Sequence, residues 1–290
     1  MGRRNLGLSL CARAAWRLCV FLVLAAAISF SHANAAEDDT AALAAAAQNP
    51  VADMISLPFQ NNTYFDVGPS DDTVNVLNIQ PVIPISAGDW NLITRTIVPL
   101  IYVPNSIGGV AEIPQGSPDY NDTTFGLGDI NATVFLSPAR PGKIIWGIGP
   151  TLTMPTATDE ALGSEKWSAG PSVVVLATPK PWVLGVLARN IWSFAGDDDR
   201  ADVNQLLVQP FVNYNMAEGW YLTSSPIVTA NWEAASDERW TVPIGGGVGK
   251  IFKIGAQPIN ASVQSYYNIE SPTFGPDWSL RLQIQFLFPR

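Results

Sequence analysis

The chain has 290 residues, 47% of them hydrophobic and 14% charged, with 23 Gly, 23 Pro and a formal net charge of −9. That composition excludes an intrinsically disordered or collagen-like chain and requires a large apolar surface to be buried somewhere. Both cysteines, Cys11 and Cys19, and the sole histidine, His32, fall at the N-terminal end.

Residues 1–35 read as a secretory signal peptide. Arg3, Arg4, Arg13 and Arg17 form a basic leader, Leu18 to Phe30 an apolar run, and Ala33-Asn34-Ala35 a small-x-small cleavage site. The apolar run has 13 residues, too few for a spanning helix, which needs about 20. After its removal 12 basic residues face 25 acidic ones, a net charge of −13. This sign argues against a nucleic-acid partner. With neither Cys nor His, the exported chain has no thiol nucleophile, imidazole base or Cys/His metal site, so no cofactor and no metal are expected.

Residues 36–50 read as a tether with an Ala-rich helical turn from about Ala41 to Gln48, stopped by Asn49-Pro50. From 51 to 290 the chain alternates polar and apolar positions in segments separated by turn residues, with no sustained helical period. The alternation predicts strands at about 54–65, 73–85, 90–103, 125–137, 144–155, 167–178, 182–194, 204–216, 220–232, 240–251, 256–268 and 277–288. Short connections at 86–89, 138–143, 179–181, 217–219 and 252–255 alternate with longer ones at 66–72, 104–124, 156–166, 195–203, 233–239 and 269–276. The expected fold is all-β: a transmembrane antiparallel β-barrel of about twelve strands, with short periplasmic turns and longer extracellular loops.

Strands of about 11 residues, rising roughly 3.3 Å each and tilted near 45°, span about 25 Å, the height of an outer-membrane apolar band. Trp90, Trp146, Trp167, Trp182, Trp192, Trp220, Trp232, Trp240 and Trp278 all lie near strand ends, where two aromatic girdles would sit. Acidic residues crowd the long connections, including Asp71, Asp72, Asp119, Asp122, Asp159, Glu160 and the run Asp197 to Asp199 with Asp202. That run offers carboxylates for calcium but lacks the spaced ligands of an EF-hand, and a solvated loop accounts for it more simply.

Strand parity assigns the lumen. In 277–288 Leu280, Leu282, Ile284, Phe286 and Phe288 alternate with Arg281, Gln283, Gln285 and Leu287; in 204–216 Leu206, Val208, Val212 and Tyr214 oppose Gln205, Gln209, Asn213 and Asn215; in 125–137 Ile130, Ala132 and Val134 oppose Asp129, Asn131 and Thr133. The candidate lumen or constriction residues are therefore Arg95, Asp129, Arg189, Arg281, Gln209, Asn213, Gln283 and Gln285. A charge facing lipid at the midplane costs about 2 to 4 kcal/mol, which leaves the lumen for the three arginines. They read either as a constriction that tunes passage of ions or anionic solutes, with Asp129 available to pair with one of them, or as ion-paired filling of a narrow barrel.

Two features resist this reading. The run Gly245-Gly246-Gly247-Val248-Gly249-Lys250 evokes a phosphate loop, but the first required glycine position is Ile244 and Lys250 is followed by Ile251. Glycines there let a strand bend or another backbone approach. Pro81, Pro99, Pro150, Pro171, Pro210, Pro226, Pro243 and Pro258 all fall inside the predicted strands of a barrel with no free edge, and so are expected at bulges, strand ends or weakly paired positions; they leave ten or fourteen strands open.

Several blocks carry a resemblance: Gln48-Asn49-Pro50, Leu57-Pro58-Phe59-Gln60-Asn61-Asn62, Gly126-Leu127-Gly128-Asp129, Gln209-Pro210-Phe211-Val212-Asn213-Tyr214-Asn215, Gly219-Trp220-Tyr221-Leu222 and Trp240-Thr241-Val242-Pro243-Ile244-Gly245-Gly246-Gly247. Together they resemble a family of bacterial outer-membrane "transporter" barrels related to phenol-degradation-pathway barrel proteins and often misnamed neuromedin U. The resemblance covers about residues 48–288 and implies no defined substrate and no catalytic residues. It also implies assembly by the barrel assembly machinery, although Phe288 is followed here by Pro289-Arg290 where such barrels usually end in an aromatic.

The expected function is a non-enzymatic outer-membrane pore or transporter passing small solutes through a narrow polar lumen, in contact with outer-membrane lipid and lipopolysaccharide. Residues 36–50 or the connection 104–124 are available to occlude it. The alternatives are a sealed structural or adhesive barrel acting through its acidic loops, a His-independent barrel enzyme, and a soluble β-sandwich.

Overall fold

The computed structural model describes residues 36–104 and 123–289. A helix, α1 (Ala36–Ala47), precedes β1 (Ile55–Val67), β2 (Asp72–Ile79), β3 (Val82–Ala87), β4 (Trp90–Val103), β5 (Thr124–Leu127), β6 (Ile130–Pro138), β7 (Ile144–Met154), β8 (Lys166–Ala177), β9 (Trp182–Gly196), β10 (Asn204–Asn215), β11 (Trp220–Ser224), β12 (Val228–Asn231), β13 (Trp240–Ile254), β14 (Gln257–Glu270) and β15 (Trp278–Phe288). All pair antiparallel with their neighbours, and β1 closes on β15 from Ile55↔Phe288 to Phe65↔Trp278. Three of the pairs, β2/β3, β5/β6 and β11/β12, are single crossings of the wall interrupted mid-strand, so the fifteen segments make a closed barrel of twelve spans. The helix is longer at its N-terminal end than the sequence reading allowed, and the connection 104–124 falls almost wholly outside the described residues.

The prolines explain the interruptions. Pro81 and Pro226 sit in the gaps between β2 and β3 and between β11 and β12. Pro99 faces the β5/β6 gap, where its carbonyl accepts from the Gly128 amide at 2.9 Å, and Pro58 similarly takes the Gln80 amide at 2.9 Å across from the β2/β3 gap. Pro243 marks the register shift between β13 and β14, Pro258 lies at the start of β14, and Pro150 faces Pro171 where the β6–β7 and β8–β9 ladders both skip positions. A residue without an N–H is tolerated in a closed wall only where no ladder donor is needed, and each of these sits at such a place. Gly245 and Gly247 serve the same wall differently, since a Cβ there would lie 2.0 Å from the Ser265 carbonyl oxygen and 1.9 Å from that of Val263.

The outward faces are those of a membrane protein. Ile85, Ile144, Ile148, Ile254, Leu282 and Ile284 stand exposed together with many other large apolar side chains, a surface that water would not support. Aromatics ring both ends: Trp90, Trp146, Trp182 and Tyr214 near the short turns, and Tyr102, Phe125, Trp167, Trp192 and Tyr267 near the long loops. The edge-to-face pair Trp182–Tyr214 ties the neighbouring strands β9 and β10, and Trp90–Trp146 reaches from β4 to β7 across β6, both within the lower ring. The short connections are 88–89, 139–143, 178–181, 216–219 and 255–256, on the same side as α1 and the C-terminus. The first outer connection, 68–71, is as short as these turns, whereas 155–165, 197–203 and 232–239 are longer.

Candidate functional site

Parity along each strand fills the lumen unevenly. Toward the periplasmic end Ile93, Phe135, Val174, Leu176, Val183, Leu187 and Phe211 from β4, β6, β8, β9 and β10 form one apolar inner wall. The facing wall carries amides and hydroxyls, among them Asn260, Ser262 and Gln264 of β14 and Gln283 and Gln285 of β15. Within that half sits the N-terminal segment. Val51 joins the apolar wall, Ala44 packs on Tyr221 and Ile251 of the far side, and Gln48 exchanges amide hydrogen bonds with Asn215, 2.9 and 3.3 Å. The turn after α1 is held by the Asn49 side chain, whose Oδ1 accepts from the Val51 amide at 3.0 Å. Gly249 makes room for this packing, because a Cβ there would lie 2.1 Å from the Tyr221 ring. Only about 180 Å³ of cavity remains between the segment and the wall.

The outer half is roomier, a chamber of about 830 Å³ partly roofed by loops. Residues 155–165 fold in against Val67, Val74, Val76, Ile101 and Val103 through Ala161 and Leu162, the latter fully buried. Asp129 fastens them: its Oδ1 accepts from the Ala157 amide at 3.3 Å, and its Oδ2 from both the amide and the hydroxyl of Ser164 at 2.7 Å. Asp129 sits in the β5/β6 interruption, where the Thr156 and Thr158 side chains also bond to strand backbone, at Ile130 and Leu127. Glycines supply the clearance, since a Cβ on Gly126 would meet Thr158 at 2.2 Å and one on Gly163 would meet Ala157 at 2.3 Å. Arg200 of the next loop donates to the carbonyls of Glu160 (3.0 Å) and Gly163 (2.7 Å) and approaches Glu165 at 3.5 Å. Asp197 caps its own loop by accepting from the Asp199 amide at 2.8 Å.

The two spaces meet at a waist formed by Gln60, Gln80, Arg95, Leu187 and Gln209, which line both. Arg95 donates to Gln80 Oε1 at 2.7 Å. Arg189 donates to Asn131 Oδ1 at 2.6 Å.

The sequence-assigned set divides accordingly. Arg95 and Gln209 are at the waist, Arg189 and Asp129 line the outer chamber, and Asn213, Gln283 and Gln285 line the inner cavity. Asp129, offered as a partner for an arginine, instead holds loop 155–165. Arg281 lies in the wall packing: 6% exposed, it donates to Asn62 Oδ1 (3.0 Å) and to the Ser225 carbonyl (2.9 Å) and lies over the Tyr266 ring. It satisfies backbone that the β11/β12 interruption frees, as does Tyr266, whose hydroxyl accepts from the Ser225 amide at 2.9 Å. Residues 36–50, offered by the sequence as available to occlude the lumen, do contribute to its filling: residues 44–51 pack into the inner half.

No protein-family model and no curated protein matches the sequence. Among solved structures, an outer membrane channel from Pseudomonas putida F1 superposes with a TM-score of 0.62 at 18% identity, over 89% of this chain and 100% of that one. This chain has the fold of an outer-membrane barrel. An outer membrane phospholipase from Salmonella typhi matches more loosely, with a TM-score of 0.42 at 13% identity over 86% of this chain and 97% of the other. The toluene transporter TodX of P. putida reaches 0.36 at 9% identity over 81% and 87%.

Proposed function

We propose that this barrel is an outer-membrane pore through which small solutes diffuse, entering the outer chamber, passing the waist and leaving beside the N-terminal segment. The supporting observation is the continuity of polar side chains through the waist: Gln60, Gln80, Arg95 and Gln209 belong to both spaces. An amide-lined neck exchanges hydrogen bonds with a hydrated solute without holding it, as conduction requires. The P. putida channel of the same fold agrees with a transport role. Outer-membrane lipid and lipopolysaccharide are the partners of the exposed apolar belt, and the barrel assembly machinery the partner that inserts it. A macromolecule does not fit the waist.

A second reading, a sealed barrel working through its acidic loops, draws support from the chain's own filling of both mouths by α1 and residues 155–165. Single-channel recording of the purified barrel in a planar bilayer separates the two. Discrete steps that grow when residues 36–48 are deleted support the pore. A folded, inserted barrel that stays silent with and without that segment refutes it and leaves the acidic loops as the working surface.

A further inference from the structure

Three neutral polar groups of the outer chamber are buried and unbonded. The hydroxyls of Ser168 and Ser172 on β8 and Oδ1 of Asn78 on β2 have no hydrogen-bond partner among the described residues, although these residues line the chamber and are only 1%, 2% and 4% exposed. With Arg239 Nε at the rim, four of the five such groups among the described residues belong to this one space. A buried polar group without a partner costs free energy, so their concentration here calls for something that bonds them. The neighbouring groups are spent. Thr133 and Thr151 bond one another at 2.8 Å, and Asn131 donates to Thr151 and Thr153 at 3.1 and 2.9 Å. Arg189 is engaged with Asn131 at 2.6 Å and beyond, and takes no part in the site.

Ser168 and Ser172 stand four residues apart on one face of β8, roughly 13 Å at about 3.3 Å per residue, with Gly170 between them. Alongside on β7 run Thr153, Thr151 and Gly149, so nothing larger than a threonine rises between the two hydroxyls. Asn78 faces the same space from four spans round the wall. Its Oδ1 only accepts, so its partner must donate, which excludes a carboxylate, and Arg95 in the lining disfavours a cation. An apolar solute would leave all three groups unpaired. A hydroxyl donates and accepts, and so suits each of them.

We infer that the outer chamber binds a neutral sugar of disaccharide length, its hydroxyls bonded to Ser168, Ser172 and Asn78. The length follows from the serines: two O–H···O bonds of about 2.8 Å taken from roughly 13 Å leave at least about 8 Å between the solute's own end oxygens, more than one sugar ring spans. A serine hydroxyl turns about a single bond, which lets both point at a solute lying along β8. The C–H faces of the sugar meet Leu187 and Ile191 of β9 and Phe135 of β6, which line the same space. The chamber of about 830 Å³ accommodates such a molecule. This names the solute class of the proposed pore and rests on that reading only for onward passage.

The test is saturation-transfer NMR titration of maltose, trehalose, sucrose and lactose into the intact barrel, folded in an amine-oxide detergent so that no sugar headgroup competes, with heat-modifiable migration as the check on folding. At least one disaccharide should bind, and its affinity should fall about two- to tenfold in each of Ser168→Ala, Ser172→Ala and Asn78→Leu, the loss of one neutral hydrogen bond. These variants remove groups that bond nothing in the wall, so migration should not change. Glucose, too short to reach both serines, should bind more weakly and should not respond to both serine variants. Arg140→Gln, on an exposed turn, should change nothing. A folded barrel that binds none of the four disaccharides, or that binds them equally after Ser168→Ala and Ser172→Ala are combined, overturns the site. If the same preparation conducts in a bilayer, the pore reading survives that failure. Binding without conduction keeps the site and removes the pore.

Discussion

The two halves of the lumen are built from one alternating strand pattern and solve opposite problems. The periplasmic half is apolar along β4, β6, β8, β9 and β10 and is filled by the chain's own residues 44–51. The outer half keeps a chamber of about 830 Å³, roofed by a loop that is anchored at one edge by the buried Leu162 and by hydrogen bonds to one carboxylate. Hydrophobic burial is non-directional and fills whatever space the wall offers, whereas hydrogen bonds fix a segment at its edge and leave room beneath it. The comparison predicts that the lower half responds to deletion and the upper half to single side chains.

The largest effect is expected from removing residues 36–48. Single-channel conductance should rise several-fold, since the inner cavity of about 180 Å³ opens to the width of the bare wall. An unchanged conductance would place the limiting resistance at the waist and break the comparison. Leu162→Ala comes next. Emptying a fully buried leucine site costs about 2 to 5 kcal/mol in a core, and here the loss should appear as protease cleavage within 155–165 while the barrel stays folded.

Asp129→Asn should act on the same loop more gently. It weakens hydrogen bonds that a charged acceptor makes worth about 1.5 to 3 kcal/mol each, and should raise open-channel current noise without altering the mean conductance of the lower half. Gly249→Val should push the Tyr221 ring off its seat and loosen α1, reproducing part of the deletion's conductance gain.

The smallest effect concerns the rim. Glu238 accepts from the hydroxyl and the amide of Thr273, which hold its carboxyl below the ordinary range. A depressed value means the link between the loops at 232–239 and 271–277 is present above the usual carboxylate pKa and is lost as pH falls through the lowered one. Proteolysis of these loops should therefore accelerate only as pH falls below the ordinary carboxylate range, and in Thr273→Ala should lose that acid-dependent rise.

The wall was legible from residue order because its signals are local. The alternation of Leu282 and Ile284 with Gln283 and Gln285 reports a face directly, and tryptophans at strand ends report depth. The three interruptions were less legible. Pro81 and Pro226 announced them, but a proline does not say whether a strand bulges, ends or resumes, which depends on the neighbouring strands. The lumen was legible as a set and not as a mechanism. Arg95, Arg189 and Arg281 look alike in sequence, and what separates the last is Asn62 and Ser225, brought to it from distant strands. The role of Asp129 was carried by Gly126 and Gly128 beside it, whose missing side chains clear a path for a loop some 30 residues onward.

The seam between β1 and β15 has a consequence for biogenesis. The first strand's partner is the last to be made, so β1 must wait through almost the whole length of the chain with one row of amides and carbonyls unmatched. An exposed row of that kind recruits any other extended segment it meets. For this molecule the unmatched row is therefore a hazard before closure and not after it, when β1 and β15 cover one another over eleven register positions.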